Sequence, residues 1–274
     1  MISDALVIAA VWPSRNATRA GGRISGMQIE YAQDLDELTD EHLAQLYAYP
    51  PEATWVRVNF VSTVDGAAHG ADSRAASISS RADQRLFALL RGLCDLVLVG
   101  AGTARAEKYR PVEPDEVSSE LRERLGLAPT PTIAVVSRSL DVPVELLGHD
   151  RAPTLVVTCN GAPSSRLAQL IEDDRVVIAG DNNVDLASAI RALSRRGFRR
   201  VLCEGGPTLF ADLVRTDRLD ELCLTLCPLL VAGDAGRITR GPLITSDLRL
   251  RLAHVIGAGD DLFLRYARRT TKES

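Results

Sequence analysis

A chain of 274 residues, 46% hydrophobic and 25% charged, is long enough to bury its own core, and a mean hydropathy near zero excludes wholesale disorder. A net charge of −4 and a pI near 5.7 argue against a large nucleic-acid footprint, and no apolar run approaches the roughly 20 residues of a membrane-spanning helix. Four scattered histidines without HExxH give no multi-histidine metal site, and five cysteines without CxxC read as buried reduced thiols of a cytoplasmic protein.

Residues 1–26 hold a short apolar stretch and then a Ser-, Arg- and Gly-rich run; they read as a disordered leader before a single domain, 27–274. Asp34 to Tyr49 predicts an amphipathic helix, with Leu35, Leu38, Leu43 and Leu46 near helical spacing and Pro50-Pro51 ending it. Trp55 to Ser62 alternates as a strand and runs into a long loop of small residues. Ser80 opens a helix, with Asp83 three residues on as in a capping box and Leu86, Leu89, Leu90 and Leu93 as its buried stripe. Asp95 to Val99 reads as a strand covered on both faces, followed by a turn at 100–103 and a polar, proline-bearing segment at 104–130. Strands follow at 132–137, 154–159, 175–179 and 199–203, with helices at 164–172 and 185–196. Glu204 then leads into a helix that has Pro207 in its first turn. A strand at 219–226 and two more at 250–256 and 261–268, joined by a tight turn, close the chain. The alternation from 80 to 226 predicts a mostly parallel sheet with helices on both faces.

Two glycine-rich turns each leave an apolar strand, at 100–103 and 205–208. Ligands of open α/β sheets bind at strand carboxyl ends, where glycine lets the backbone approach a phosphate and a helix N-terminus attracts its charge. Gly100, Gly102, Thr103 and the run Gly205, Gly206, Pro207, Thr208, Leu209 are either such a cradle or plain turn geometry. Neither run is a complete GxGxxG, since Arg105 holds the third glycine position, and no GK[ST] occurs. Ser137 and Arg138 end a strand and offer a hydroxyl and a guanidinium to a ribose 2′-phosphate, or form a solvated turn. Asp65 is either a turn aspartate before Gly66 or a carboxylate able to relay a proton. Glu204, at a strand end after VLC, is open to function and structure alike. Arg91 either complements a helix dipole or reaches an anionic substrate.

The strings VRVNFVSTVDG, SISS, LLRGLCDLVLVGAGTARAEKYRP, VVSRSL, VLCEGGPTLFADLV and LDELCLTLCPLLVAG, over about residues 55–268, together resemble the reductase of bacterial riboflavin biosynthesis. That enzyme is the C-terminal half of a bifunctional deaminase-reductase. The resemblance implies an α/β fold: a dihydrofolate-reductase-like three-layer sandwich with a mostly parallel central sheet and antiparallel C-terminal strands. It implies NADPH-dependent reduction of the ribosyl side chain of a 5-amino-6-(phosphoribosylamino)uracil by a cytoplasmic homodimer. Val61, Thr103, Ser137 and Gly206 to Leu209 match cofactor contacts, and Glu107, where many members carry Asp, falls among them. Arg91 and Glu204 match substrate contacts, and Asp65 matches the acidic residue of the S-L-D-G block. Asn59, at a substrate position, replaces a lysine; Ser77 replaces a tryptophan. The D-x-P-x-L-x-x-R block becomes EKYRPVEP, with Arg110 near the family's substrate-binding arginine but out of register. No HxE…PCxxC deaminase signature occurs.

On this reading Asp65 holds the polar head of the substrate and helps deliver a proton, Glu204 binds substrate hydroxyl or amino groups, and Arg91 neutralises a phosphate. Ser137 and Arg138 select NADPH. Two alternatives stand beside it. Asp65 could hold the N–C–N edge of a pterin, giving a dihydrofolate reductase, or the chain could be a non-catalytic NADPH-binding protein.

Overall fold

The structure is a computed structural model that describes residues 33–51, 53–148, 154–244 and 248–269; the leader expected over 1–26 lies outside them. The chain runs β1 (Gln33–Asp34), α1 (Asp40–Leu46), β2 (Trp55–Thr63), α2 (Arg81–Leu93), β3 (Leu96–Gly100), α3 (Ala101–Ala106), α4 (Ser119–Arg124), β4 (Thr132–Val136) and α5 (Val144–Leu147). It continues through β5 (Leu155–Thr158), α6 (Ser164–Glu172), β6 (Val176–Ile178), α7 (Leu186–Arg195), β7 (Arg200–Cys203), α8 (Pro207–Arg215), β8 (Glu221–Cys227), β9 (Leu250–Ala258) and β10 (Asp261–Arg268). Among the described residues these strands form one sheet in the order β1-β9-β10-β8-β2-β7-β3-β4-β5-β6. The run from β8 to β6 is parallel throughout, and β10 is antiparallel to both β8 and β9. This is the expected three-layer α/β sandwich with a mostly parallel sheet and antiparallel C-terminal strands.

Strand alternation divides the core. Val97 and Val99 of β3 face one layer with Leu86, Leu89, Leu90 and Leu93 of α2, Ala104 of α3 and Leu121 of α4. Leu96 and Leu98 face the other layer with Leu186 and Ile190 of α7 and Leu209 and Leu213 of α8.

Two segments differ from the sequence expectation. The helix expected over 34–49 is only α1, because Leu38 is extended and Thr39 caps a fresh start by accepting from His42 N. Arg85 enforces the break by donating to the carbonyls of Leu35 and Leu38 at 2.8 and 2.7 Å, and Asp34 joins β1 beside Gly257 of β9. The polar segment 104–130 holds part of α3 and all of α4, each six residues long and too short for a periodic stripe. Ser118 caps α4, and the buried Arg122 donates to the carbonyls of Arg91, Gly92 and Cys94 at the end of α2.

A buried ionic group ties α1 to the sheet. Glu221 of β8 accepts from Arg57 Nε at 2.6 Å, Arg265 Nε at 2.9 Å and Trp55 Nε1 at 3.0 Å. The two arginines reach on to the carbonyls of Tyr47 and Leu46. Burial alone would raise the Glu221 carboxyl, but Arg57 and Arg265 outweigh it and hold it down at about 2.

Candidate active site

β7 sits between β2 and β3, yet the helix that follows it, α8, packs on one face while α2 and α3, which follow β2 and β3, pack on the other. Connections that diverge to opposite faces leave a crevice above the strand ends. A cavity of about 470 Å³ opens there. Among the expected residues Asn59, Val61, Arg91, Thr103, Glu107, Glu204, Gly206 and Pro207 line it.

Glu204 leaves the end of β7 with its side chain 2% exposed. Arg91 grips it through two hydrogen bonds, Nε to Oε1 and Nη2 to Oε2, both 2.7 Å, and Tyr109 Oη donates to Oε2 at 2.6 Å. The Arg91 guanidinium lies 4.3 Å from the Phe87 ring centroid. Burial opposes the charge on Arg91, but Glu204 outweighs it and raises the guanidinium further. Arg91 and Glu204, expected to meet a ligand separately, therefore meet each other. The cations on the cavity wall outside this pair are Lys108 and Arg110, the latter bonded to Glu116 at 2.8 Å.

Sequence reasoning read Asp83 as a capping residue and missed its position in the cavity wall. Asp83 is buried in the first turn of α2, accepting from Ser79 Oγ at 2.5 Å and Thr225 Oγ1 at 2.7 Å. Burial pushes its carboxyl up, the two hydroxyls pull it partly back, and the nearby Asp261 pushes it up again. The available signal was spacing: Asp83, Phe87 and Arg91 recur every four residues and share a face of α2 distinct from the leucine stripe.

Asp65 stands outside the lining residues. Its exposed carboxylate accepts from Thr63 Oγ1 and from the Val231 and Ala232 amides at 2.9 and 2.8 Å, which lowers its pKa. The geometry gives it a tethering task, stitching the β2 exit turn to the loop after β8. Glu107 is likewise engaged, accepting from Ala75 N at 3.0 Å.

The glycine turns meet. Gly100 N donates to Gly205 O at 2.8 Å, and the Gly205–Gly206 peptide is cis. A Cβ on Gly206 would collide with Thr103 Oγ1, and one on Gly205, whose φ is +90°, would lie 2.8 Å from the Phe60 ring. Among the described residues no side chain caps the start of α8, a Cβ on Gly102 would meet nothing within 4 Å, and the buried Ser137 Oγ has no partner. Thr208 is exposed and Leu209 buries its side chain in the α8 layer, so Leu209 can offer a ligand only its backbone. Arg138 is exposed beside Ser137. Open backbone, helix N–H groups and an unsatisfied hydroxyl at adjacent strand ends suit a phosphate-bearing dinucleotide.

The RibD C-terminal domain family model matches residues 54–264. The chain belongs to this family. This RibD-type domain is 28% identical to the 2,5-diamino-6-ribosylamino-4(3H)-pyrimidinone 5′-phosphate reductase of Archaeoglobus fulgidus, over 78% of this chain and 99% of that protein. It is 30% identical to the reductase of the same name from Methanothermobacter thermautotrophicus, over 77% and 97%. Among solved structures, a pyrimidine reductase-like protein from Corynebacterium diphtheriae superposes with a TM-score of 0.69 at 25% identity, covering 85% of this chain and all of that one. Among the described residues no helix is long and apolar enough to cross a membrane, and no group of three or more His, Cys, Asp or Glu could hold a metal ion.

Proposed function

We propose that this protein is an NADPH-dependent reductase of a phosphoribosylamino-pyrimidine in riboflavin biosynthesis. The observation that carries this reading is a cavity with a buried carboxylate at Asp83 and the Arg91–Glu204 pair in its wall, beside a glycine cradle, in a chain of this family.

Bound NADPH supplies the hydride. Gly100, Gly102, Thr103 and Gly205 to Leu209 cradle its pyrophosphate, and Ser137 with Arg138 receives the 2′-phosphate. Val61 and Glu107 stand on the cofactor side, Asn59 on the substrate side. Lys108 takes the substrate phosphate, a task first expected of Arg91, because Arg91 turns two N–H groups to Glu204 and Arg110 is likewise paired with Glu116.

A carboxylate has about four in-plane acceptor sites. At Asp83 the Thr225 hydroxyl uses one on Oδ1 and the Ser79 hydroxyl one on Oδ2, so each oxygen keeps an open site. Two parallel acceptors suit an N–C–N edge with two donors, the ring N–H and 2-amino group of an aminopyrimidinone. The 2-oxo edge of a uracil would set an acceptor against an acceptor. Asp83 therefore favours the 2-amino substrate over the uracil first expected. Its raised carboxyl also makes it a better proton carrier than the exposed Asp65, which we assign to holding the cavity rim.

The same two-acceptor edge fits a pterin, so dihydrofolate is the second reading. The test is NADPH oxidation by purified protein with the diaminopyrimidinone phosphate, the aminouracil phosphate and dihydrofolate in parallel. Fastest turnover of the diaminopyrimidinone supports the assignment. Turnover of dihydrofolate alone transfers the site to pterins, and NADPH binding without any turnover leaves a non-catalytic binder. We expect a cytoplasmic homodimer of a single domain spanning 27–274, which light scattering on the purified chain checks.

A further inference from the structure

We propose that Tyr109 is a positioning residue that limits Glu204 to one open acceptor site, turned to the substrate; this rests on the reductase reading above. Three donors converge on the Glu204 carboxylate: Arg91 Nε on Oε1, and Arg91 Nη2 and Tyr109 Oη on Oε2. Both in-plane sites of Oε2 are filled, and one site on Oε1 remains. Glu204 thus presents a single acceptor, where Asp83 presents two. The cavity wall reads a two-donor edge at one carboxylate and a lone N–H or O–H at the other, which fixes the direction in which an aminopyrimidine enters.

Local structure delivers the tyrosine. α3 ends at Ala106, Lys108 adopts a φ of +55°, and Tyr109 N returns to Ala104 O at 2.8 Å, which turns the ring inward. There its centroid lies 5.6 Å from the Arg91 guanidinium, on which Phe87 also stacks. Burial first, and then the Glu204 charge, raise the Tyr109 phenol well above its ordinary value, so it stays a donor across the working pH range.

Two measurements test this. Tyr109→Phe keeps the ring and removes only the hydroxyl. With the pyrimidine substrate its KM should rise severalfold with kcat and NADPH affinity nearly unchanged, while Tm falls by the cost of one buried hydrogen bond to a charged group. An unchanged KM, or a loss confined to Tm, overturns the proposal. The second readout needs no substrate. In protein carrying 13Cζ-tyrosine, the Tyr109 resonance should resist titration at alkaline pH, and Glu204→Gln should bring its titration down. A Tyr109 that titrates alike in both proteins overturns the proposal even if no pyrimidine is turned over. If the wild-type chain reduces no pyrimidine but Tyr109 responds to Glu204→Gln, the positioning stands and the substrate assignment fails.

Discussion

Thr225 Oγ1 donates to Asp83 Oδ1 at 2.7 Å, joining the middle of β8 to the first turn of α2 in the cavity wall. This contact holds a buried carboxylate that no cation among the described residues neutralises. On the proposed reading, stability at this position is given up for binding chemistry.

Asp83→Asn should separate the two. Turnover should fall at least tenfold, since one of two acceptors becomes a donor, roughly the scale of a lost charged hydrogen bond. The Tm at neutral pH should rise. The folded state raises this carboxyl, so its contribution to stability is fully present below the unfolded value and is lost as pH rises through the folded value. Asparagine removes that loss, so the gain should fade in acid. Thermal melts of both proteins across pH check it.

Glycine substitutions test the cradle. Gly206→Ala sets a methyl against Thr103 Oγ1 and should lower both Tm and NADPH affinity. Gly102→Ala meets no protein atom within 4 Å and lies in α3, where alanine is the better helix former. It should leave Tm level or higher and still weaken NADPH. Fluorescence titration with unchanged affinity for Gly102→Ala would move the cofactor elsewhere.

Glu221→Gln should destabilise the chain by about 3–5 kcal/mol, because Arg57 and Arg265 keep their burial and lose their counter-charge. The folded Glu221 carboxyl is depressed to about 2, so its stabilisation is present above the unfolded value and is lost as pH falls toward 2. The wild-type Tm should drop over that window, and the Gln variant should drop less.

Asp65→Asn should raise substrate KM with little effect on kcat, since it loosens the tether to Val231 and Ala232 and touches no cavity-lining atom. Faster proteolysis in the loop after β8 would accompany it. A kcat collapse with unchanged KM would return Asp65 to the chemistry.

The sheet was legible because β3 reads LVLVG and β7 reads RVLC, apolar runs that only a doubly covered strand needs. Position relative to a strand end marked Glu204 and Gly206, since the turn after a parallel strand is where ligands gather. What the sequence hid were partnerships. Nothing local says that Arg91 spends itself on Glu204, 113 residues away, or that Asp65 faces the amides of 231 and 232. Asp83 was hidden by its own legibility: its backbone amide donates to Ser80 Oγ at 3.1 Å as the N-cap pattern predicts, and that reading passed over its carboxylate, which turns to Ser79 and Thr225 instead. α1 failed for a related reason, because leucine spacing cannot announce that Arg85 will occupy the carbonyls a longer helix would need.

The position of β7 also governs how the chain can assemble. β7 inserts between β2 and β3, pairing Trp55 with Arg200 and Leu96 with Val201, so the centre of the sheet is completed by one of its later strands. On a ribosome, β2 would wait through about half the chain and β3 through more than a third of it with facing edges unpaired, exposed to other nascent chains. Pairings so distant in sequence make for slow closure. Glu204 emerges directly behind β7, so the pocket forms only when that gap is filled. Chains released before β7 would carry an open seam where the finished protein has its candidate active site.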